Sequence, residues 1–123
     1  MTPASSDERE GVRAAQVISL GVLTISSERD GNLHTVELEG ELDLATAPDV
    51  EEELERVEAT DAEAIILDLS GLTFIDSTGI RLVLATARRS RADSNRLTLL
   101  RGTAAVQRAF EISGVEALLS FAD

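Results

Sequence analysis

Hydrophobic and polar positions along the chain follow two periods, one typical of β-strands and one typical of α-helices. Residues 20–25 and 33–42 predict two strands, and Asp30-Gly31 between them is a hairpin signal. The second strand alternates apolar and acidic side chains, so that one face would contact the core and the other would contact water. The two sets are Val36, Leu38 and Leu42 on one face and Glu37, Glu39 and Glu41 on the other.

A surface helix is predicted next, within residues 44–60. Thr46 with Asp49 three residues later resembles a capping box, and Pro48 suits a first helical turn. One narrow apolar stripe recurs at helical spacing and predicts the face that lies on a sheet: Val50, Leu54 and Val57.

Residues 64–69 (AIILDL) form an apolar run without alternation, which predicts a central parallel strand covered on both sides. A loop with Ser70 and Gly71 would follow it, and a second amphipathic helix would span about residues 78–91. The apolar face of that helix contains Ile80, Val83, Leu84 and Ala87.

Another strand is predicted at residues 96–101, and a third helix follows with Thr103 as its cap and Gly114 at its end. In this helix Val106 and Phe110 would face inward. Residues 118–121 would add a last short strand or turn.

The predicted order, ββαβαβα with a possible last strand, indicates an α/β fold in one domain. The sheet would be mixed and mostly parallel, with an N-terminal antiparallel hairpin and three to four helices packed on it. Residues 1–16 are polar and without a period, which predicts a flexible N-terminal tail. Residues 17–123 would form the domain.

The composition of the chain argues against several classes of function. The formal net charge is -12 and there is no Trp or Tyr, so nucleic acid and anionic membranes are poor partners. The chain has no cysteine and one histidine, which argues against thiol chemistry and a metal site. It has no nucleotide-binding glycine motif, so no cofactor is expected. With neither a leader-like start nor an apolar run of membrane-spanning length, a cytoplasmic protein is expected.

The stretch Asp76-Ser77-Thr78-Gly79 directly precedes the second helix. One of its polar side chains would cap the helix, and capping does not account for the other polar side chains. Catalysis by Ser77 would need a base, and His34 is predicted to be exposed on an edge strand. We therefore do not expect an enzyme.

Two further interpretations of this stretch rest on charge. Asp43 and Asp76 would form a carboxylate pair if both lie at the same sheet edge, or they would be two solvated loop acids. A phosphate on Ser77 would bring about -1.5 to -2 charges to a helix start that tolerates them. A partner packed on that surface would be expelled while the fold survives.

Three segments together resemble STAS domains, in the branch of bacterial anti-sigma factor antagonists. The central one, ILDLSGLTFIDSTGIRLVL, is similar to the family's signature loop and helix. GELDLATAP resembles the family's Gly-Glu-(Leu/Ile)-Asp stretch, and FEISGVEALLSF is similar to its last helix and ending. The resemblance covers about residues 22–121.

This resemblance implies partner switching. The unphosphorylated protein would bind an anti-sigma factor serine kinase and so free a sigma factor. The kinase would then phosphorylate Ser77 and end the complex, and a PP2C-type phosphatase would restore it. The binding surface would contain Asp43, Asp76, Ser77, Thr78, Gly79 and Arg81, with Leu82 and Arg88 as further helix candidates. A STAS protein that acts as a scaffold or lipid-transport accessory without phosphorylation stays an alternative.

Overall fold

The computed structural model of the protein describes residues 13–122. Six strands and three α-helices follow one another along this part of the chain. The strands are β1 (Arg13–Ser19), β2 (Leu23–Asp30), β3 (Leu33–Leu42), β4 (Ala64–Ile75), β5 (Leu97–Leu100) and β6 (Phe121–Ala122). The helices are α1 (Ala47–Glu58), α2 (Ser77–Ala92) and α3 (Ala104–Ile112), with a 3₁₀ turn at Glu116–Leu118.

The strands form one sheet in the order β1-β2-β3-β4-β5-β6. The pairs β1–β2 and β2–β3 are antiparallel, and the three later pairs are parallel. Because each parallel strand lies one step further along the sheet, right-handed crossovers place α1, α2 and α3 on the same face. Phe110 of α3 accordingly contacts Phe121 of β6 edge to face, with ring centroids 5.7 Å apart. The predicted mixed α/β sheet is confirmed.

Strand β1 lies partly in the segment predicted as a tail. Residues 13–16 belong to it and pair with β2, so placing them in the tail was wrong. The strand was missed because it carries little apolar alternation and is held mainly by backbone hydrogen bonds at a sheet edge. The predicted tail at residues 1–12 lies outside the described residues.

The hairpin β2–β3 has a two-residue turn, Gly31-Asn32, in which Gly31 has a φ of 63°. Strand β3 has the predicted bounds. The preceding strand was predicted too early, at residues 20–25, because residues 20–22 form the turn between β1 and β2.

Strand β4 is twice as long as predicted, with 12 residues. The predicted loop at Ser70 and Gly71 is instead a bulge within the strand, where the register against β3 shifts between Glu37 and Glu39. The prediction that this strand is covered on both faces was also wrong. Burial alternates along the strand because helices cover only one face, and the other face of the sheet is open.

The open face of the sheet is acidic. On β3, Glu37, Glu39 and Glu41 are exposed, as the alternation predicted. Asp68 of β4 pairs in register with Glu37 and is half-buried. The buried face packs against the helices and forms one aliphatic core.

Helix α1 buries the predicted stripe, but its predicted capping box does not form. Thr46 is the N-cap residue, yet its side chain makes no cap hydrogen bond. Its hydroxyl donates to the Glu41 carbonyl at 3.0 Å instead and ties the preceding loop to β3. The helix therefore begins without the side-chain cap that the sequence suggested.

Helix α2 begins at Ser77, one residue before the predicted start, and Leu82 is buried. Leu82 was predicted as a possible partner contact outside the apolar face, which is wrong because it belongs to the buried hydrophobic core. Helix α2 packs against α1 as well as against the sheet. In α3 the cap is confirmed, since Thr103 Oγ1 accepts from Val106 N at 3.4 Å. Gly114 ends the helix with a φ of 76°.

His34 was predicted to be exposed on an edge strand, and this was wrong. β3 lies between β2 and β4, and only 3% of His34 is exposed. Its Nε2 lies 2.8 Å from Ser27 Oγ, while Nδ1 has no partner among the described residues. Burial, together with the charges of Arg56 and Arg29, lowers the pKa of His34, and Glu53 opposes this in part.

Glu53 of α1 is a buried carboxylate in the same cluster. Burial alone raises the pKa of Glu53, but hydrogen bonds from Arg56 and Ser27 outweigh it and the pKa lies below its ordinary value. Gln16 of β1 also donates to Glu53, at 3.1 Å. The cluster thus joins α1 to the antiparallel end of the sheet through paired polar groups.

We expect the stability of the protein to fall as pH decreases from 7.5 to 5.5. Burial and the charges of Arg56 and Arg29 lower the pKa of His34 in the folded protein, so it takes up a proton there less readily than in the unfolded chain, whose ordinary pKa is 6.5. Protons are then bound preferentially by the unfolded state, so acidification favours unfolding. Urea denaturation at both pH values measures the effect. His34 is the only histidine, so His34→Gln should show a clearly smaller difference, and an equal difference in both proteins would contradict this origin.

Candidate functional site

The carboxyl ends of β3 and β4 meet at one edge of the sheet, where Leu42 and Ile75 pair in register. Asp43 follows the first strand and Asp76 follows the second. The backbone confirms this proximity, since Asp76 N donates to Leu42 O at 3.2 Å. In α/β sheets this edge is where loops gather and ligands or partners bind.

Asp76 binds two segments with one carboxylate. It is the N-cap of α2, and its Oδ1 accepts from Gly79 N at 3.0 Å. Its Oδ2 accepts from Leu44 N, in the loop between β3 and α1, at 3.1 Å. The cap is therefore also a clamp that fixes this loop against the start of α2.

Asp43 organises the same loop from within. Its Oδ1 accepts from Ala45 N at 3.0 Å and from Thr46 N at 3.1 Å. Its own backbone N–H donates to Thr46 Oγ1 at 3.0 Å. The two predicted acids thus lie at the same edge, where backbone N–H groups of residues 44–46 and of α2 donate to both oxygens of Asp76 and to Oδ1 of Asp43.

Gly79 lies beneath the surface. A Cβ at this position would lie 2.7 Å from Ile75 Cγ1 and 2.8 Å from Leu42 Cγ. Glycine lets the first turn of α2 pack closely on the ends of both strands. The prediction that Gly79 belongs to a contact surface is not supported, because the residue is buried.

Ser77 and Thr78 occupy the first two positions of α2, where backbone N–H groups have no partner in the helical ladder. Ser77 is exposed and Thr78 is half-buried. Arg81 is exposed one turn later and lies on the same helix face as Ser77. Arg88 is also exposed, further along α2. Within the described part of the chain, the Ser77 hydroxyl makes no hydrogen bond with another residue.

The arrangement offers no histidine base to Ser77. His34 pairs with Ile65 near the start of β4, whereas Ser77 follows the end of that strand. Among residues 13–122 there is no cluster of three or more His, Cys, Asp or Glu side chains suited to a metal ion. No helix in the same range is long and apolar enough to cross a membrane.

Two exposed apolar side chains near Ser77 were not predicted as site residues. Leu44, in the clamped loop, is 72% exposed, and Phe74, two residues before Asp76, is 48% exposed. An apolar residue after the aspartate of GELDL and a Phe beside a buried Ile were the available signals. The exposure of Phe74 depends on the bulge that sets the facing of β4, and the exposure of Leu44 depends on the hydrogen bonds that shape the loop after β3.

These features define a small α/β domain with three helices on one face of a mixed six-stranded sheet and an exposed serine at a capped helix start. The sequence profile described as "STAS domain" matches residues 24–123. The chain therefore belongs to the STAS domain family.

Two curated relatives from Staphylococcus carry the same name. The chain is 29% identical over 97 residues to "Anti-sigma-B factor antagonist" of Staphylococcus aureus (strain NCTC 8325 / PS 47), covering 79% of this chain and 90% of the relative. It is 26% identical over 102 residues to the protein of that name from Staphylococcus epidermidis, covering 83% and 92%.

Solved structures share the fold. An anti-sigma factor antagonist from Mycobacterium paratuberculosis superposes with a TM-score of 0.73 at 24% identity, covering 85% of this chain and 89% of the other. The anti-sigma factor antagonist SpoIIAA in its unphosphorylated form gives a TM-score of 0.61 at 24% identity, with 89% of each chain covered.

We expect Gly79→Ala to destabilise the protein by about 1–3 kcal/mol, because the added methyl group overpacks the junction of α2 with both strands. Helix propensity alone would favour Ala by about 1 kcal/mol. Chemical denaturation measures the change, with Arg81→Ala on the exposed face of the same helix as the control. A Gly79→Ala protein as stable as wild type would contradict the close packing.

Proposed function

We propose that this protein is an anti-sigma factor antagonist that works by partner switching. In its unphosphorylated form it binds an anti-sigma factor serine kinase, and a sigma factor is released. Phosphorylation of Ser77 by that kinase ends the complex. A PP2C-type phosphatase removes the phosphate and restores binding.

One observation carries this proposal: Ser77 is exposed, while the capping role beside it is filled by Asp76. The hydroxyl is free to accept a phosphate without loss of a hydrogen bond in the described structure. The names of the Staphylococcus relatives support antagonism of an anti-sigma factor. A structure of SpoIIAA in its phosphorylated form adds a precedent on the same fold.

A phosphate at Ser77 is compatible with the fold. It would lie at the positive end of the α2 dipole, next to the N–H groups of the first turn. A partner packed on this edge would have to desolvate about -1.5 to -2 charges, next to the carboxylate of Asp76. We therefore expect loss of binding without unfolding.

The decisive experiment incubates the purified chain with ATP and each anti-sigma factor serine kinase of its source organism, followed by intact mass spectrometry. At least one kinase should add a single phosphate to wild type and none to Ser77→Ala. Thr78→Ala, which removes the neighbouring hydroxyl, should still be phosphorylated.

The outcomes separate the alternatives. Binding of a kinase without phosphate transfer would favour the scaffold or accessory function. Phosphate that persists in Ser77→Ala would place the acceptor elsewhere. If no kinase binds the protein and none transfers phosphate to it, the proposed function as a whole is overturned.

We further expect Ser77→Asp to keep the fold and to weaken kinase binding by about tenfold or more, since a buried unpaired charge costs over 1.4 kcal/mol. Isothermal titration calorimetry measures the affinity. Ser94→Asp is the matched control, because Ser94 is exposed beyond the other end of α2. Equal weakening by both substitutions would indicate a general charge effect rather than a local one.

A further inference from the structure

The edge that carries Ser77 presents two apolar side chains to solvent. Leu44 is 72% exposed on the loop between β3 and α1, and Phe74 is 48% exposed at the end of β4. The other two phenylalanines are Phe110, which is fully buried, and Phe121, which is half-buried. Leu44 N–H binds the carboxylate of Asp76, so both apolar side chains lie within a few residues of the same clamp.

The loop that presents Leu44 is rigidly held. Asp76 binds its backbone from the start of α2, and Asp43 binds the two N–H groups that follow Leu44. The Thr46 hydroxyl ties the end of the loop to β3. A large apolar side chain on an ordered loop loses little conformational entropy on binding, which is the property of an interface hot spot.

We propose that Leu44 and Phe74 are the apolar anchors that contact the anti-sigma factor, and that Asp43 and Asp76 are positioning residues that hold Leu44 in place. This inference rests on the proposed function and assigns its contacts. It departs from the expectation that the two acids themselves contact the partner, because Asp76 accepts backbone hydrogen bonds at both oxygens and Asp43 accepts two at Oδ1.

The charges around the two anchors indicate the chemistry of the partner surface. Phe74 pairs in register with Glu41 on the open face of the sheet, and Glu39 is exposed one step away on the same strand. An apolar pocket with a basic rim would match Leu44 and Phe74 and their acidic neighbours. We therefore assign such a pocket to the anti-sigma factor.

The first part of the test compares two anchor variants with matched controls. Leu44→Ala and Phe74→Ala should each weaken binding of the kinase that forms a complex with wild type by about tenfold or more. Ile112→Ala and Leu118→Ala are the controls, because Ile112 is 73% exposed, close to Leu44, and Leu118 is 45% exposed, close to Phe74. Both should change the affinity by less than about twofold. Phe74→Thr keeps strand propensity and serves as a second variant if the alanine protein is unstable.

The second part separates positioning from contact at the acids. Asn at position 43 still accepts from Ala45 N and Thr46 N, so Asp43→Asn should bind like wild type while Asp43→Ala binds weakly. Asn at position 76 still caps α2 but offers a single acceptor oxygen. Asp76→Asn should therefore weaken binding and speed hydrogen exchange at the Leu44 amide in the free protein.

The outcomes distinguish failure of this inference from failure of the proposed function on which it rests. If wild type binds no kinase, both are overturned. If wild type binds and the anchor variants bind as tightly as the controls, the anchors are wrong and the proposed function stands. If Asp43→Asn loses as much affinity as Asp43→Ala, the carboxylate charge itself contacts the partner and the positioning role is overturned.

Discussion

The Asp76 carboxylate holds the functional edge together, because it accepts one hydrogen bond from the first turn of α2 and one from the loop after β3. The start of a helix leaves several N–H groups without partners, and an aspartate cap usually satisfies one or two of them. Here the second oxygen serves a different segment. Ser77 and Leu44 are thus held on one surface by a single side chain.

The topology of the sheet explains why this surface is free. The four parallel strands follow one another across the sheet in a single direction, so all three helices cover the same face. The loops at the carboxyl ends of β3 and β4 are then neighbours, and a backbone hydrogen bond joins Asp76 to Leu42 between them. Gly79 brings α2 close enough for Asp76 to reach both segments, since a Cβ there would contact Ile75 and Leu42.

Periodicity predicted the helices, the bounds of β3 and the class of fold, because these follow from apolar residues that face one core. It failed where backbone pairing or polar packing decides the outcome. Strand β1 is an edge strand with little alternation, and the bulge in β4 resembles a loop in sequence because Ser70 and Gly71 are turn residues. His34 lies on the buried face of β3 with Val36 and Leu38, but it was predicted to be exposed because β3 was taken for an edge strand. The groups that surround it come from β2 and α1.

The size of the overall charge indicates how a phosphate on Ser77 would have to act. It would add about -1.5 to -2 charges to a net charge of -12, a small change in the long-range field. At physiological ionic strength charges are screened over about 8 Å, so a partner approaching from a distance would meet nearly the same potential in both states. The discrimination must arise within a side chain's length of Ser77. Leu44 N–H binds the carboxylate of Asp76, the residue before Ser77, and Phe74 lies three residues before Ser77. Their burial by a partner would require the removal of water that a phosphate dianion at Ser77 would hold.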